Sequence, residues 1–98
     1  MKAMCVNSDL IVTAWDGDTL VGVARTITDW VWCSYLADLA VSPGYKRSGI
    51  GKKLIELVRK KIGGQSMLLL LSVPTAMDYY PKVGFVREDR AFIIHRTK

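Results

Sequence analysis

The stretch from Leu39 to Leu54, LAVSPGYKRSGIGKKL, constrains the fold more than any other part of the chain. An apolar, strand-like run from Tyr35 to Val41 stops at Ser42-Pro43-Gly44. A basic turn, Tyr45-Lys46-Arg47-Ser48-Gly49-Ile50-Gly51, comes next, and a helical pattern begins at once. A strand that feeds a glycine turn at the mouth of a helix makes an anion cradle. The first helical N–H groups have no acceptor inside the helix, and the macrodipole places partial positive charge at the same end. Glycine lets a phosphate reach the main chain with no Cβ in the way. Lys46, Arg47, Lys52 and Lys53 surround that point with cations. These residues imply a phosphate-bearing ligand where the helix starts.

Two nucleotide motifs fail on spacing. The P-loop needs G-x-x-x-x-G-K-[ST]; Gly44 and Gly49 are correctly separated, but Ile50 and Gly51 stand where Lys and Ser or Thr are required. The dinucleotide fingerprint G-x-G-x-x-G is met at Gly49 and Gly51 and broken at Leu54, and it lies mid-chain after a hairpin pattern.

Val41-Ser42-Pro43 and Lys46-Arg47-Ser48-Gly49-Ile50-Gly51 are together similar to the V-x-P approach and [QR]-x-x-G-x-[GA] phosphate loop of the GNAT acyltransferase superfamily. Lys46 departs from the usual Gln or Arg, a modest change where much of the contact is main-chain. Downstream, the run from Ala76 to Phe85, AMDYYPKVGF, resembles the family's A-x-x-[FY]-Y-x-x-x-G-F segment. The two motifs occur in the family's order, and the resemblance covers roughly Leu10 to Arg96.

The residues between and around them set out the elements. Leu10 to Trp15 and Thr19 to Thr28 are β-rich runs joined by the hairpin turn Asp16-Gly17-Asp18. Asp29-Trp30 breaks the second run, and Trp32 to Val41 resumes it, giving a three-stranded antiparallel meander. From Gly49 to Ile62 the period changes: Ile50, Leu54, Leu57, Val58 and Ile62 form one helical stripe, and Gly63-Gly64 stops it. Met67 to Val73 is a continuous apolar run, suited to a strand buried on both faces and parallel to Tyr35–Val41. Pro74 to Pro81 is a short helix pattern, and Phe85–Arg87 and Ala91–Arg96 are terminal strand patterns. The expected fold is α+β: a GNAT-like mixed sheet with an antiparallel meander, a β-α-β parallel pair, then a C-terminal helix and strands.

Ninety-eight residues make a single domain, 1–98. The family usually carries another strand and one or two helices before the hairpin, so the resemblance implies an N-terminally shortened form. A first strand lacking a neighbour invites pairing with another chain, and a homo-oligomer, a dimer, is expected. The longest apolar run, Met67 to Leu71, is far below the ~20 residues of a membrane span. Cys5 and Cys33 make no disulfide framework and the N-terminus no signal-peptide core, so the cytoplasm is the expected compartment. The net charge of +5 gathers from Lys46 to Lys61 without interleaved aromatics, which suits a solvated helix face and a phosphate site better than nucleic acid. A single histidine and no cysteine pair at ligand spacing give no support for a metal.

The resemblance implies acetyl-CoA as co-substrate, its pantetheine arm lying between splayed parallel strands at Leu39, Ala40, Val41 and at Leu70 to Ser72. The pyrophosphate is expected on the main chain of Lys46, Arg47, Ser48, Gly49, Ile50 and Gly51, with Lys52 beside it. A main-chain N–H near Leu39 or Ala40 would meet the acetyl carbonyl. Tyr80, four residues before Gly84-Phe85, stands where many relatives have the acid that protonates the leaving thiolate; Tyr79 competes for that role. The position of some relatives' glutamate base holds Tyr35, leaving Asp38 and Asp29, each better read as a structural carboxylate. His95 reads as solvent-facing, Cys33 as a small buried residue, and Trp15, Trp30 and Trp32 as core or interface groups, the last two alternatively as walls of an acceptor pocket. The implied function is N-acetylation of a primary amine on a small molecule or peptide. The alternatives are a non-catalytic acyl-CoA-binding module and, disfavoured by the missing aromatics, a nucleic-acid binder.

Overall fold

Gly17, at φ 60°, supplies the left-handed residue that a two-residue hairpin turn requires, and so reverses the chain between the first two strands. The computed structural model describes residues 8–46 and 48–97. Strands β1 (Leu10–Asp16), β2 (Thr19–Thr28) and β3 (Cys33–Val41) form the antiparallel meander; helix α1 (Ile50–Ile62) crosses over; β4 (Met67–Leu69) returns parallel to β3. The sheet order is β1-β2-β3-β4, so the mixed α+β architecture is as expected. No helix among the described residues is long and apolar enough to cross a membrane.

Helix α1 lies on one face of the sheet. Leu54, Ile55, Val58 and Ile62 are buried there with Ala24 and Leu36, and Leu68, Leu70, Val83 and Phe85 pack around them. Burying a side chain of this size contributes about 1.5–3 kcal/mol. Ile55 belongs to the buried set, although the expected stripe omitted it, and Leu57 is only half-buried. Ile55 lies about 100° round the helix from Leu54, and a sheet covers an arc at least that wide. The helix rests on Gly22 of β2: a Cβ there would meet Ile50 Cγ2 and Leu54 Cδ1, each at 3.1 Å. Gly22 thus sets how closely helix and sheet approach.

The register is interrupted twice. Ala14 faces Gly22 but Trp15 faces Leu20, which leaves Val21 as an extra residue on β2. Arg25 faces Asp38 but Thr26 faces Leu36, which leaves Ala37 as an extra residue on β3. Such bulges bend the strand and change its onward direction. At the other end of β3, the buried hydroxyls of Thr28, Ser34 and Ser66 satisfy one another: Ser34 Oγ donates to Thr28 Oγ1 at 2.6 Å and lies 2.7 Å from Ser66 Oγ.

Three local expectations are corrected. The strand expected over Met67–Val73 is only Met67–Leu69, and Leu69, Leu71 and Val73 are exposed, so the run is covered on one face, not two. The helix expected over Pro74–Pro81 is a pair of 3-10 turns, Pro74–Ala76 and Tyr80–Val83. Pro81 has no N–H to bond back to Met77, and the chain uses i→i+3 bonds instead, including Tyr79 N–H to the Ala76 carbonyl at 3.0 Å. Among the described residues Phe85–Arg87 and Ala91–Arg96 form no strand; alternation in sequence reports a face, not a partner edge.

Candidate active site

β3 keeps its β2 partner as far as Val41, opposite Gly22, yet its ladder with β4 holds only three pairs: Cys33 with Met67, Ser34 with Leu68 and Tyr35 with Leu69. Beyond Tyr35 and Leu69 the ladder between the two parallel strands ends. The bulge at Ala37 lies just past this point, where an extra residue turns β3. Ser42 donates its N–H to the Val21 carbonyl at 2.8 Å, on the β2 side. Backbone groups alternate between neighbours along a strand, so Ala40, opposite Val23, is engaged by β2 while the main-chain groups of Leu39 and Val41 face the gap. Of the two N–H donors anticipated, Leu39 is therefore the one directed away from β2.

The glycine turn closes the wide end of the gap. Pro43–Tyr45 forms one 3-10 turn, and the Tyr45 hydroxyl donates to Asp16 Oδ2 at 2.5 Å, tying the turn to the first hairpin. That carboxylate raises the Tyr45 phenol pKa by its hydrogen bond and then by its charge. Ser48 donates its hydroxyl to the Tyr45 carbonyl, and Lys46 and Ser48 are exposed. Gly49 is the N-cap of α1 at φ 84°, with no side-chain cap, and α1 has no acidic residue in its first turn. The end of the helix dipole is thus left open to an anion. Ile50 is half-buried over Gly22, Gly51 lies under Tyr79, and Lys52 is exposed. Arg47 lies outside the described residues.

The two tyrosines take different places. The Tyr79 hydroxyl reaches the first turn of α1, beside Gly51 and near Val41. Tyr80 sets its ring edge-on to Phe85, with centroids 5.6 Å apart, and to Tyr79 at 5.3 Å. Gly84, at φ 105°, lets the Phe85 N–H bond back to the Tyr80 carbonyl at 3.1 Å, which fixes the Tyr80 backbone. Burial raises the pKa of both phenols, and the neighbouring Tyr80 adds to the rise at Tyr79. A tyrosine so placed holds its proton through neutral pH.

Neither candidate carboxylate is free. Asp38 receives the Arg25 Nε–H at 2.5 Å. Asp29 Oδ1 accepts the N–H groups of Val31, Trp32 and Cys33, and these bonds, that from Trp32 foremost, lower its pKa. Asp29 is a turn residue that holds Trp32, while Thr28 Oγ1 accepts the Trp30 N–H, both at the opposite end of β3 from the glycine turn. His95 is exposed and Cys33 half-buried. Among the described residues no group of His, Cys, Asp or Glu is gathered to hold a metal ion. The Ala37 bulge and the reach of Tyr79 to Gly51 left no mark in the sequence pattern. Only the glycine at position 51 hinted at a close approach.

The family model for the acetyltransferase (GNAT) domain matches residues 1–95. The histone acetyltransferase TAP1 of Glycine max is 32% identical over 71 residues, 67% of this chain and 29% of that protein. The chain thus spans less than a third of the length of that relative. Protein SP0256 of Streptococcus pneumoniae, a GNAT-family acetyltransferase of known structure, is 28% identical and superposes with a TM-score of 0.73, covering 93% of this chain and 74% of that one. Protein SA2161 of meticillin-resistant Staphylococcus aureus is 25% identical with a TM-score of 0.80, covering 97% of this chain and 77% of that one.

Proposed function

Because the chain belongs to the GNAT acetyltransferase family, we propose that it transfers an acetyl group from acetyl-CoA directly to a primary amine of a small molecule or peptide. The observation that carries this reading is the early end of the β3–β4 ladder at Tyr35 and Leu69, with the open N-terminus of α1 beside the wide end of the gap. The gap-facing main-chain groups of Leu39 and Val41, and the main chain from Leu70 to Ser72, would pair with the pantetheine amides in the manner of an added strand. The N–H groups near Gly49, Ile50 and Gly51 would receive the diphosphate, with Lys46, Ser48 and Lys52 around it and Arg47 as a further cation.

Acetyl-CoA supplies the activated thioester. The Leu39 N–H stabilises negative charge as it develops on the thioester oxygen when the amine nitrogen attacks the carbonyl carbon. As the carbon–sulfur bond breaks, the Tyr80 hydroxyl gives its proton to the departing sulfur, and solvent takes the proton lost by the amine. The name of the TAP1 relative supports a protein amine as one acceptor class.

One observation favours a second reading, a non-catalytic acyl-CoA-binding module: Asp38 and Asp29 are both engaged, so neither is placed as a base. Thermal denaturation with acetyl-CoA, run beside thiol release over a panel of amines, separates the two. Ligand at about 100 times its dissociation constant adds about 2.7 kcal/mol of apparent stability. Stabilisation with thiol release supports the enzyme, stabilisation without release on any amine supports the binding module, and neither effect refutes both.

A further inference from the structure

Helix α1 covers one face of the sheet, and Val12, Ala24, Leu36 and Leu68, one from each strand, point into that contact. Side chains alternate across a strand. The opposite face therefore carries Ile11 and Trp15 from β1, Ile27 from β2, Tyr35 from β3, and Met67 and Leu69 from β4. Ile27, Tyr35 and Leu69 stand side by side across three strands. No helix among the described residues lies over this face. Trp15 is 59%, Met67 49% and Ile27 45% exposed. A sheet with one free face ordinarily turns polar side chains to water; an apolar face left open marks an interaction site.

One ion pair interrupts the apolar surface. Arg25 and Asp38 face each other across β2 and β3, the two middle strands. Arg25 Nε donates to Asp38 Oδ2 at 2.5 Å and Nη1 to Ser8 Oγ at 3.2 Å. Arg25 Nη2 and Asp38 Oδ1 have no partner among the described residues.

We propose that this sheet face docks on the same face of a second copy of this chain, about a twofold axis that runs between the two sheets over the Arg25–Asp38 pair. The ion pair selects the occupant. An apolar helix laid over the face would strip water from Nη2 and Oδ1 and give them nothing, at about 1–3 kcal/mol for each buried group left unpaired. A second copy presents one donor and one acceptor of its own. Arg25 Nη2 of each copy then meets the partner's Asp38 Oδ1, and the four charges close into a ring. Such self-complementarity is what a twofold interface requires, and the charges fix its register. Shape agrees, because two apolar sheets stack with their side chains interdigitated about 10 Å apart. The area agrees as well. An aromatic side chain buries about 150–250 Å² and an aliphatic one less, so the exposed parts of two such faces come to about 1,000 Å², the size at which an interface becomes specific. The self-association expected from the open edge of β1 is thereby assigned to the face beside that edge. It is independent of whether the chain acetylates an amine.

The test is an isotope-filtered nuclear Overhauser experiment on the full chain. Doubly labelled and unlabelled copies are unfolded together, refolded as an equal mixture, and sized by light scattering. The expected result is a dimer whose between-chain cross-peaks join the Trp15 ring and the Ile11, Ile27, Met67 and Leu69 methyls to one another. Ile27→Lys should raise the dissociation constant of the dimer about tenfold or more, with an unchanged far-ultraviolet spectrum; if that variant does not fold, the cross-peaks of the parent decide. A monomeric parent overturns the proposal. So does a dimer whose between-chain cross-peaks lie on a strand edge or on the C-terminal segment and spare this face.

Discussion

The Tyr79 hydroxyl lies so close over Gly51 that a Cβ on that glycine would stand 2.6 Å from the oxygen, while the Tyr79 Cζ would be an ordinary 3.6 Å away. The hydroxyl alone thus makes position 51 tight. Alanine in a helical turn is ordinarily about 0.5–1 kcal/mol better than glycine. In the parent chain Gly51→Ala should lose that gain, because Tyr79 must swing aside. In a Tyr79→Phe background the gain should return. Urea denaturation of the four-member cycle should therefore show a coupling of about 0.5–1 kcal/mol, as expected for residues in contact. Strict additivity would mean that the two do not touch.

Tyr80→Phe should lower turnover by about 10²–10⁴-fold if the phenol is the acid, with affinity for acetyl-CoA nearly unchanged. Tyr79→Phe should leave turnover within a few-fold. Burial sets the sign of the pH dependence, since it raises the Tyr80 pKa above its ordinary value near 10. The protonated, active form then persists into alkaline solution, and the alkaline fall in turnover should begin above pH ~10. A fall centred near neutrality would assign the proton to another group.

Gly22→Ala should destabilise the fold. The new methyl would press on Ile50 and Leu54 at 3.1 Å, and both sit on the helix that closes the core. Overpacking of this kind costs about 1–3 kcal/mol, readable as a drop in Tm. An unchanged Tm would show that α1 can lift off β2 without loss.

Asp38→Asn separates a structural carboxylate from a base. Arg25 is only 13% exposed, and its remaining side-chain partner is Ser8, at 3.2 Å. The substitution should cost about 1–3 kcal/mol of stability, with kcat and its pH profile little changed. Loss of the acid limb of that profile, at unchanged stability, would restore Asp38 as a base.

Glu88 should titrate low. Its side-chain bonds to Arg90, and then the Arg90 N–H, bring the carboxyl from 4.5 to about 2. A depressed carboxyl stabilises the folded turn above the unfolded pKa and loses that contribution as pH falls toward 2. A side-chain NMR titration should find the low midpoint, and Arg90→Gln should move it up toward 4.5. A parent midpoint already near 4.5 would mean that the Glu88–Arg90 hydrogen bonds are open in solution.

The main features of the fold were written in local chemistry. Asp16-Gly17-Asp18 specifies the hairpin by the φ that Gly17 permits, and Gly49 and Gly63 bracket α1 as its caps. The stripe on α1 was legible except at its flank, because a periodic template cannot state how wide a surface the helix meets; that is why Ile55 was missed. The candidate site was legible as a glycine turn and a tyrosine pair, since both are contiguous in sequence. The divergence of β3 from β4, the Ala37 bulge and the Arg25–Asp38 pair join distant residues, and no local pattern encodes them. The C-terminal half was over-read for the converse reason: Met67–Val73 and Ala91–Arg96 have strand composition, but pairing depends on an edge that composition does not supply.

An amide chemical-shift titration of the labelled chain with acetyl-CoA bears most directly on the proposed cofactor gap. The largest changes should fall on Gly49 to Lys53 at the start of α1 and on Leu39, Val41 and Leu70 to Ser72 along the two sides of the gap. Saturating acetyl-CoA that left these amides unmoved, or moved only residues elsewhere, would contradict the assignment.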